Sequence, residues 1–236
     1  LDRSTKRRAY MEKLLSNIDV PNYRISAIDG ENNIMDKFNH QDLILKNNQS
    51  ELNKPDISKY EIGCTLSHLK AIDSIDINSN FVMICEDDIS FDNLCFFDND
   101  LNQIIKNSPE FDILMVHNTS SNNLINKYTQ KIKNDGIMGT VAYILSKNGI
   151  NKFKKIFDYK NNFFIIKTNY LNTSDRYIYE NTNTFVYKYN LISTLDTGTT
   201  IKNRNEKESI KTCENFADRS NNLKNNLLQL IKDSFF

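Results

Sequence analysis

Apolar residues recur along the chain in two patterns, one with helical spacing and one in short continuous runs. Spacings of three and four residues predict helices at 4–17, 58–75, about 97–107, 148–157 and from Ser174 onward. Short apolar runs predict strands at 23–30, 81–85, 111–116, 139–145 and 184–189. Because strands alternate with helices, the pattern favours a single α/β domain with a mostly parallel central sheet flanked by helices.

Residues that favour helix starts precede three of these segments. Ser4 can cap the first helix, Ser58 and Glu61 have the spacing of a capping box, and Ser146 precedes the helix at 148–157. The polar stretch 31–57 has no clear periodicity and is predicted to be an irregular surface excursion. Residues 219–236 form an amphipathic pattern, which predicts a helix that docks on the domain or on a second copy in a homodimer.

Length and charge limit the classes of protein that remain. The chain has 236 residues, the size of one large domain, and its 30 basic and 30 acidic residues give a net charge of zero. No overall field attracts nucleic acid or an anionic membrane, and no run of 18 apolar residues predicts a transmembrane segment. Any phosphate site must therefore be local.

Cysteine usage gives a weak indication of the compartment. The four cysteines, at 64, 85, 95 and 213, have no CxxC spacing, which argues against a zinc site of that type. No secretory signal is visible. We therefore expect free thiols in a reducing compartment, in the cytoplasm or on the cytoplasmic face of a membrane.

The stretch "NFVMICEDDISF" places three carboxylates directly after an apolar run. In open α/β sheets, ligands bind beyond the carboxyl ends of the strands, where Glu86, Asp87 and Asp88 are expected to lie. Continued strand alternation would point Glu86 and Asp88 to one side and Asp87 to the other. Neighbouring carboxylates repel each other, and Mn²⁺ or Mg²⁺ would relieve the repulsion. The alternative is a solvated acidic turn.

Glycine-rich phosphate loops are absent from the sequence. Neither GxxxxGK[ST] nor GxGxxG occurs, so a bound diphosphate would have to be held by a metal ion together with arginine or lysine.

Four motifs in this order, "LDRSTKRR", "AIDG", "EIGCTLSHLKAI" and "FVMICEDDISF", resemble glycosyltransferase family 25. That family includes lipopolysaccharide glycosyltransferases and procollagen galactosyltransferases. The resemblance covers about residues 1–92, and "GTVAYILSKNGINKF" is similar to a later family segment. It implies a glycosyltransferase-A-type, Rossmann-like domain that binds a UDP-sugar, with a first strand expected before Leu1.

The same resemblance implies a set of site residues. The acidic cluster is similar to a DxD-type element, with Glu86 and Asp88 as ligands of Mn²⁺ (or Mg²⁺). The residues expected to contact the substrate are Arg3, Arg8, Ala27, Asp29, Gly30, Ser67, His68, Lys70, Asp87 and His117. Arg7 fits an ordinary helix surface as well as it fits a ligand. His117 follows a predicted strand and could contact sugar or metal; as third metal ligand it competes with Asp196 and water.

The resemblance also implies inversion at the anomeric carbon, which requires a general base for the acceptor hydroxyl. Asp175 in "TSDRYIY" has the matching position, although an acid there also fits an ordinary helix start.

The expected reaction moves galactose, or else glucose, from a UDP-hexose donor to a hydroxyl of a glycan or of a collagen-like hydroxylysine. Two other functions stay open at this point. One is a metal-dependent nucleotidyltransferase or phosphodiesterase, and the other is a non-catalytic sugar-binding module on the same fold.

Overall fold

The structure is a computed structural model that describes residues 1–16, 18–31, 59–97, 100–119, 126–131, 138–160, 163–166 and 173–195. Nearly all of the predicted excursion at 31–57, the capping residue Ser58 and the predicted C-terminal helix at 219–236 lie outside these residues.

All five predicted helices are confirmed. They are α1 (Thr5–Leu15), α2 (Lys59–Asp73), α3 (Leu101–Lys106), α4 (Lys147–Ile156) and α5 (Ser174–Glu180). The third begins at Leu101, later than predicted, because the Asp100 side chain caps it by accepting the Gln103 N–H. Ser146 caps α4 as predicted, since its hydroxyl accepts the Gly149 N–H at 3.2 Å. Ser4 makes no side-chain cap bond to α1.

Nine strands are found among the described residues. They are β1 (Phe81–Cys85), β2 (Ile89–Ser90), β3 (Ile113–Met115), β4 (Tyr128–Gln130), β5 (Ala142–Ser146), β6 (Phe157–Lys160), β7 (Phe163–Ile166), β8 (Thr184–Tyr187) and β9 (Ser193–Thr194). The predicted strands at 81–85, 111–116, 139–145 and 184–189 are confirmed as β1, β3, β5 and β8. The strand predicted at 23–30 is wrong, because this segment pairs with none of the described strands and is held by side chains of α2 instead.

The central sheet has five strands in the order β1-β5-β3-β8-β4. Only β3 and β8 pair in parallel; the β1–β5, β3–β5 and β4–β8 pairs are antiparallel. The described strands therefore do not bear out the predicted mostly parallel pairing. The reason is that β5 inserts between β1 and β3 in the opposite direction, and a buried apolar run reads the same in either direction.

Hydrophobic clusters cover both faces of this sheet. Side chains of α2, α4 and α5 pack with Ile84, Ile113 and Tyr143 on one face. On the other face α1 and α3 pack against Leu114 and Ile144. Adjacent residues of β3 and β5 therefore belong to opposite clusters, as strand alternation requires, and the described part has helix, sheet and helix layers.

The strands β1, β3 and β8 run in one direction, so their carboxyl ends meet at one edge of the sheet. The short β2–β9 pair follows β1 at that edge. None of the helices in the described ranges has the length and hydropathy needed to cross a membrane.

Candidate functional site

Polar side chains collect where β1 and β3 end. Glu86, Asp87 and Asp88 follow β1, and His117 follows β3. The β2–β9 pair links the two positions, because Leu195 N–H donates to the Asp88 carbonyl at 2.7 Å and His117 Nδ1 lies 2.7 Å from the Ile192 carbonyl oxygen.

Glu86 is held by side chains from α2 and from the entry to β5. The Thr140 hydroxyl donates to Glu86 Oε1 at 2.9 Å, and His68 Nε2 lies 3.6 Å from the same oxygen. The other ring nitrogen of His68 lies 3.1 Å from Tyr143 Oη. Burial opposes ionisation of Glu86, but the hydrogen bond and charge of His68, with the Thr140 hydrogen bond, outweigh it and lower the pKa of Glu86.

His68 shows the complementary effect. Burial alone would lower the pKa of its imidazole, but hydrogen bonds with Cys64 and Glu86 outweigh burial and raise that pKa. The raised pKa favours the charged form of His68 beside Glu86. The predicted role of His68 was contact with substrate, whereas its contacts in the structure are with Glu86 and Tyr143.

Hydrogen bonds extend from Glu86 to the start of α5. Thr140 Oγ1 lies 3.0 Å from Ser174 Oγ, and Ser174 Oγ lies 3.6 Å from Cys64 Sγ. Ligand atoms of Cys64, His68 and Glu86 come within 4.8 Å of one another, a composition that zinc accepts. However, each of these three side chains already has a hydrogen-bond or ion-pair partner in the chain. We therefore interpret the network as a support that orients Glu86.

The carboxylates of Asp87 and Asp88 lie against Arg7 of α1 and not against the side chains that hold Glu86. Arg7 Nη1 lies 2.8 Å from Asp87 Oδ1 and 3.2 Å from Asp88 Oδ2. The predicted alternation, with Glu86 and Asp88 on one side, does not hold in these contacts, because the strand ends at Cys85 and residues 87 and 88 lie in a turn.

Asp88 has one carboxylate oxygen without a partner. Its Oδ1 is buried and forms no hydrogen bond with any part of the chain that the structure describes. Burial and the neighbouring charge of Glu86 raise the pKa of Asp88 to about 6, although Arg7 opposes this. Such an oxygen is costly unless a cation or donor occupies the space beside it.

His117 Nε2 is the second buried side-chain atom in the described ranges that lacks a hydrogen-bond partner. Burial lowers the pKa of His117, although the hydrogen bond to the Ile192 carbonyl and the charge of Glu86 oppose this. The lowered pKa favours the neutral ring, in which Nδ1 donates to the Ile192 carbonyl oxygen.

The other residues predicted to contact the substrate lie in segment 26–30, between α1 and α2 in the chain, or hold this segment in place. Ser67 Oγ accepts the Ile28 N–H at 2.8 Å, and Lys70 Nζ donates to the Ser26 carbonyl at 2.9 Å. Ala27 is half-buried and Gly30 is buried in this segment.

Asp29 ends this segment in an ion pair. Arg3 Nε lies 2.6 Å from Asp29 Oδ2, and this hydrogen bond lowers the pKa of Asp29 despite partial burial. Arg3 and Asp29 are thus brought together as a pair.

Arg8 is not brought to the acidic cluster. Its Nε lies 2.7 Å from Glu12 Oε1, and its side chain is 50% exposed. Arg7, which the sequence left open between a ligand and an ordinary helix-surface residue, is the arginine that contacts this cluster. Arg8 is rotated about 100° from Arg7 around α1, and the placement of the helix decides which of the two reaches the acidic turn.

Asp175 lies in the first turn of α5 and is half-buried. Its Oδ1 accepts the Thr173 hydroxyl at 2.7 Å and the Arg176 N–H at 2.9 Å. Ser174 connects this turn to Glu86 through Thr140, but no direct contact joins Asp175 to the acidic cluster in the described ranges.

The acidic turn and the end of β3 thus bring an oriented carboxylate, a buried carboxylate oxygen without a partner, an imidazole and an arginine to one edge of the sheet. Carboxylates are groups that bind divalent cations, and arginine is a group that binds anions.

Comparison with known proteins identifies the family. A search of curated proteins returned no match. The model of a protein family described as glycosyltransferase family 25 (LPS biosynthesis protein) matches residues 1–171, well over half of the chain. The matched range includes the acidic cluster, α2 and β5, so the resemblance inferred from the four motifs is confirmed. The chain belongs to glycosyltransferase family 25 and is a glycosyltransferase.

Proposed function

We propose that this glycosyltransferase is metal-dependent and inverting, and that it moves a hexose from a UDP-sugar to a hydroxyl of a glycan or of a collagen-like hydroxylysine. Galactose is the first choice of sugar and glucose the second. The observation that carries the proposal is the buried Asp88 Oδ1 without a partner, at the edge where β1 and β3 end.

The residues present fit a divalent cation. Asp88 offers Oδ1, and Glu86 is an ionised carboxylate oriented by Thr140 and His68. Hard oxygen ligands of this kind suit Mn²⁺ or Mg²⁺. Such a cation, when bound, would neutralise charge that develops on the leaving diphosphate.

The chain's own cations support the leaving group. Arg7 is 15% exposed and already lies between two carboxylates, so it is positioned to donate hydrogen bonds to a diphosphate beside Asp88. Arg3 and Asp29 hold the 26–30 segment, which by family resemblance lies near the nucleotide. In this proposal Arg7 takes the diphosphate role expected of Arg8.

Asp175 is the proposed general base. The Asp175 carboxylate lies in the first turn of α5 and can accept the proton of an acceptor hydroxyl. The hydroxyl oxygen attacks the anomeric carbon while the bond to the diphosphate oxygen breaks, so the configuration inverts.

Release of UDP from the donor tests this proposal. The protein is incubated with UDP-galactose or UDP-glucose and Mn²⁺, with and without EDTA, and UDP and UMP are separated by chromatography. We expect slow release of UDP that EDTA abolishes and that Asp88→Asn lowers at least about 100-fold, the scale on which active-site electrostatic contacts act.

Other outcomes of this experiment are equally informative. Release of UMP would indicate phosphodiester chemistry, and failure to bind or turn over any UDP-sugar would favour a sugar-binding module. Undiminished turnover by Asp88→Asn would refute the assignment of the metal site.

A further inference from the structure

We propose that Cys64, His68 and Glu86 form a binding site for Zn²⁺, in which the ion ties helix α2 to the start of the acidic turn. This site goes beyond the proposed transfer reaction and is distinct from the site proposed for the catalytic cation. The two sites share Glu86, but a thiolate and an imidazole complete the zinc site, and these are the ligands that zinc prefers.

The fold brings the three ligands together from two elements. Cys64 and His68 are four residues apart on α2, so their side chains lie on the same face of that helix. Glu86 directly follows β1, which lies beside this face. One ligand atom from each residue, the sulfur, a ring nitrogen and a carboxylate oxygen, lies within 4.8 Å of the other two. The backbone thus already presents three donors to one point.

The separations of these atoms suit a tetrahedral ion. Zinc bonds of about 2.0–2.3 Å to nitrogen, oxygen and sulfur place neighbouring ligand atoms roughly 3.3–3.6 Å apart. His68 Nε2 lies 3.6 Å from Glu86 Oε1, at the upper end of that range. Since no separation among the three ligand atoms exceeds 4.8 Å, small side-chain rotations are sufficient to close the site around an ion.

Outer contacts already orient two of the ligands. The far ring nitrogen of His68, Nδ1, lies 3.1 Å from the hydroxyl of Tyr143, which is 0% exposed. When Nδ1 donates to this hydroxyl, Nε2 is left with its lone pair directed toward Glu86 and Cys64. Thr140 donates to Glu86 Oε1 at 2.9 Å. Fixed partners of this kind are the usual support of metal-bound histidines and carboxylates.

The charge of the pocket also accommodates a dication. Without metal it holds an ionised Glu86, a charged His68 and the Cys64 thiol, so its net charge is zero. When Zn²⁺ forms its bonds to the three side chains, one proton leaves the thiol and one leaves the imidazole. The net charge is again zero, so no unpaired charge is buried. The Glu86 side chain is 34% exposed, which gives the ion a route from solvent.

Cobalt(II) is a suitable probe, because its bond to a thiolate produces a charge-transfer absorption that displacement by Zn²⁺ removes. The metal-free full chain is titrated with Co²⁺ and then with Zn²⁺. We expect the thiolate absorption in the wild type and in Asp88→Asn, and its loss in Cys64→Ser. Cys95→Ser is the matched control and should keep it, because Cys95 is exposed. His68→Asn should weaken Co²⁺ binding at least about tenfold.

A second measurement uses the wild type alone, so it does not depend on the folding of a variant. Alkylation of each cysteine by iodoacetamide is followed by mass spectrometry with and without Zn²⁺. At a free Zn²⁺ concentration of about ten times Kd, roughly one molecule in ten has an empty site, so alkylation of Cys64 should slow about tenfold. Alkylation of the exposed Cys95 should not change.

A wild type without thiolate absorption, an absorption that survives in Cys64→Ser, or alkylation of Cys64 that Zn²⁺ does not slow would each overturn the inference. Neither measurement needs a sugar donor or turnover. A protein that binds Co²⁺ through Cys64 but releases no UDP would therefore contradict only the proposed function, and the two failures are distinguishable.

Discussion

The guanidinium of Arg7 lies against Asp87, with Nη1 2.8 Å from Oδ1, although 80 residues separate the two along the chain. The same nitrogen lies 3.2 Å from Asp88 Oδ2. Helix α1 is thereby tied to the acidic turn after β1, and one arginine partly neutralises two carboxylates. A divalent cation held by Asp88 Oδ1 would share this carboxylate with Arg7, which contacts Oδ2.

Replacing this arginine tests its role toward the donor. We expect Arg7→Gln to raise the KM for the UDP-sugar about tenfold or more, because hydrogen bonds to charged groups contribute about 1.5–3 kcal/mol. Arg8→Gln is the matched control, since it removes the same charge from the same helix and Arg8 contacts only Glu12 in the described ranges. Equal donor KM values for the two variants would contradict the assignment of Arg7.

Thr140 tests whether the buried network supports Glu86. Thr140→Val keeps the shape of the side chain but removes the hydroxyl that donates to Glu86 Oε1 at 2.9 Å. We expect it to lower the free energy of unfolding by about 1–3 kcal/mol, measured by urea denaturation. Thr129→Val on β4 removes a hydroxyl whose hydrogen bond is exposed, and its effect should stay within about 0.5 kcal/mol. Similar values for the two variants would argue against the network.

Gly149 allows α4 to approach β3 closely. A Cβ placed on it would lie 2.2 Å from the Asp112 carbonyl oxygen, a backbone atom that cannot move aside alone. Gly149→Ala should therefore destabilise the protein by about 3 kcal/mol or more, despite the higher helix propensity of alanine. Asn151→Ala in the same helix is the control and should be close to neutral in the same urea titration. A stable Gly149→Ala protein would show that the two backbones can separate.

The Arg3–Asp29 pair predicts a pH dependence. The hydrogen bond from Arg3 lowers the pKa of Asp29 below its usual value of 3.8 in the folded state. The pair therefore stabilises the folded protein at pH values above the pKa that Asp29 has in the unfolded chain. This stabilisation is lost as the pH falls through the lower pKa that Asp29 has in the folded protein.

Asp29→Asn should consequently lower the free energy of unfolding at pH 6 and have a smaller effect at pH 3. Asp19→Asn, at an exposed position, serves as the control and should show little pH-dependent difference from wild type. An Asp29→Asn effect that does not shrink between pH 6 and pH 3 would contradict the ion pair.

Much of the local structure was predictable. The apolar stripe of α2 includes Leu66, Leu69 and Ile72, and each of these has an exposure of 0%. The run before Glu86 forms β1 within the predicted bounds. Local periodicity suffices for such elements because each must bury one face or both.

The contacts of the site required the fold. The residue pattern of α1 does not show which face of the helix docks beside the acidic turn. Arg7 and Arg8 were therefore equivalent candidates until the structure placed the helix. The chain turns after Cys85, so Glu86 contacts different partners from Asp87 and Asp88. Strand alternation could not predict this turn. The segment 23–30 reads as a strand, yet side chains of α2 hold it without a strand partner.

The sequence by itself determined five helices, four strands of the central sheet, the family and the acidic cluster at a strand end, because these depend on residues that are close along the chain. The tertiary structure decided the direction of β5, the pairing of Arg7 with Asp87, and the burial of His117 beside the same edge as Asp88. These depend on residues far apart in sequence, whose meeting is set by how the layers pack.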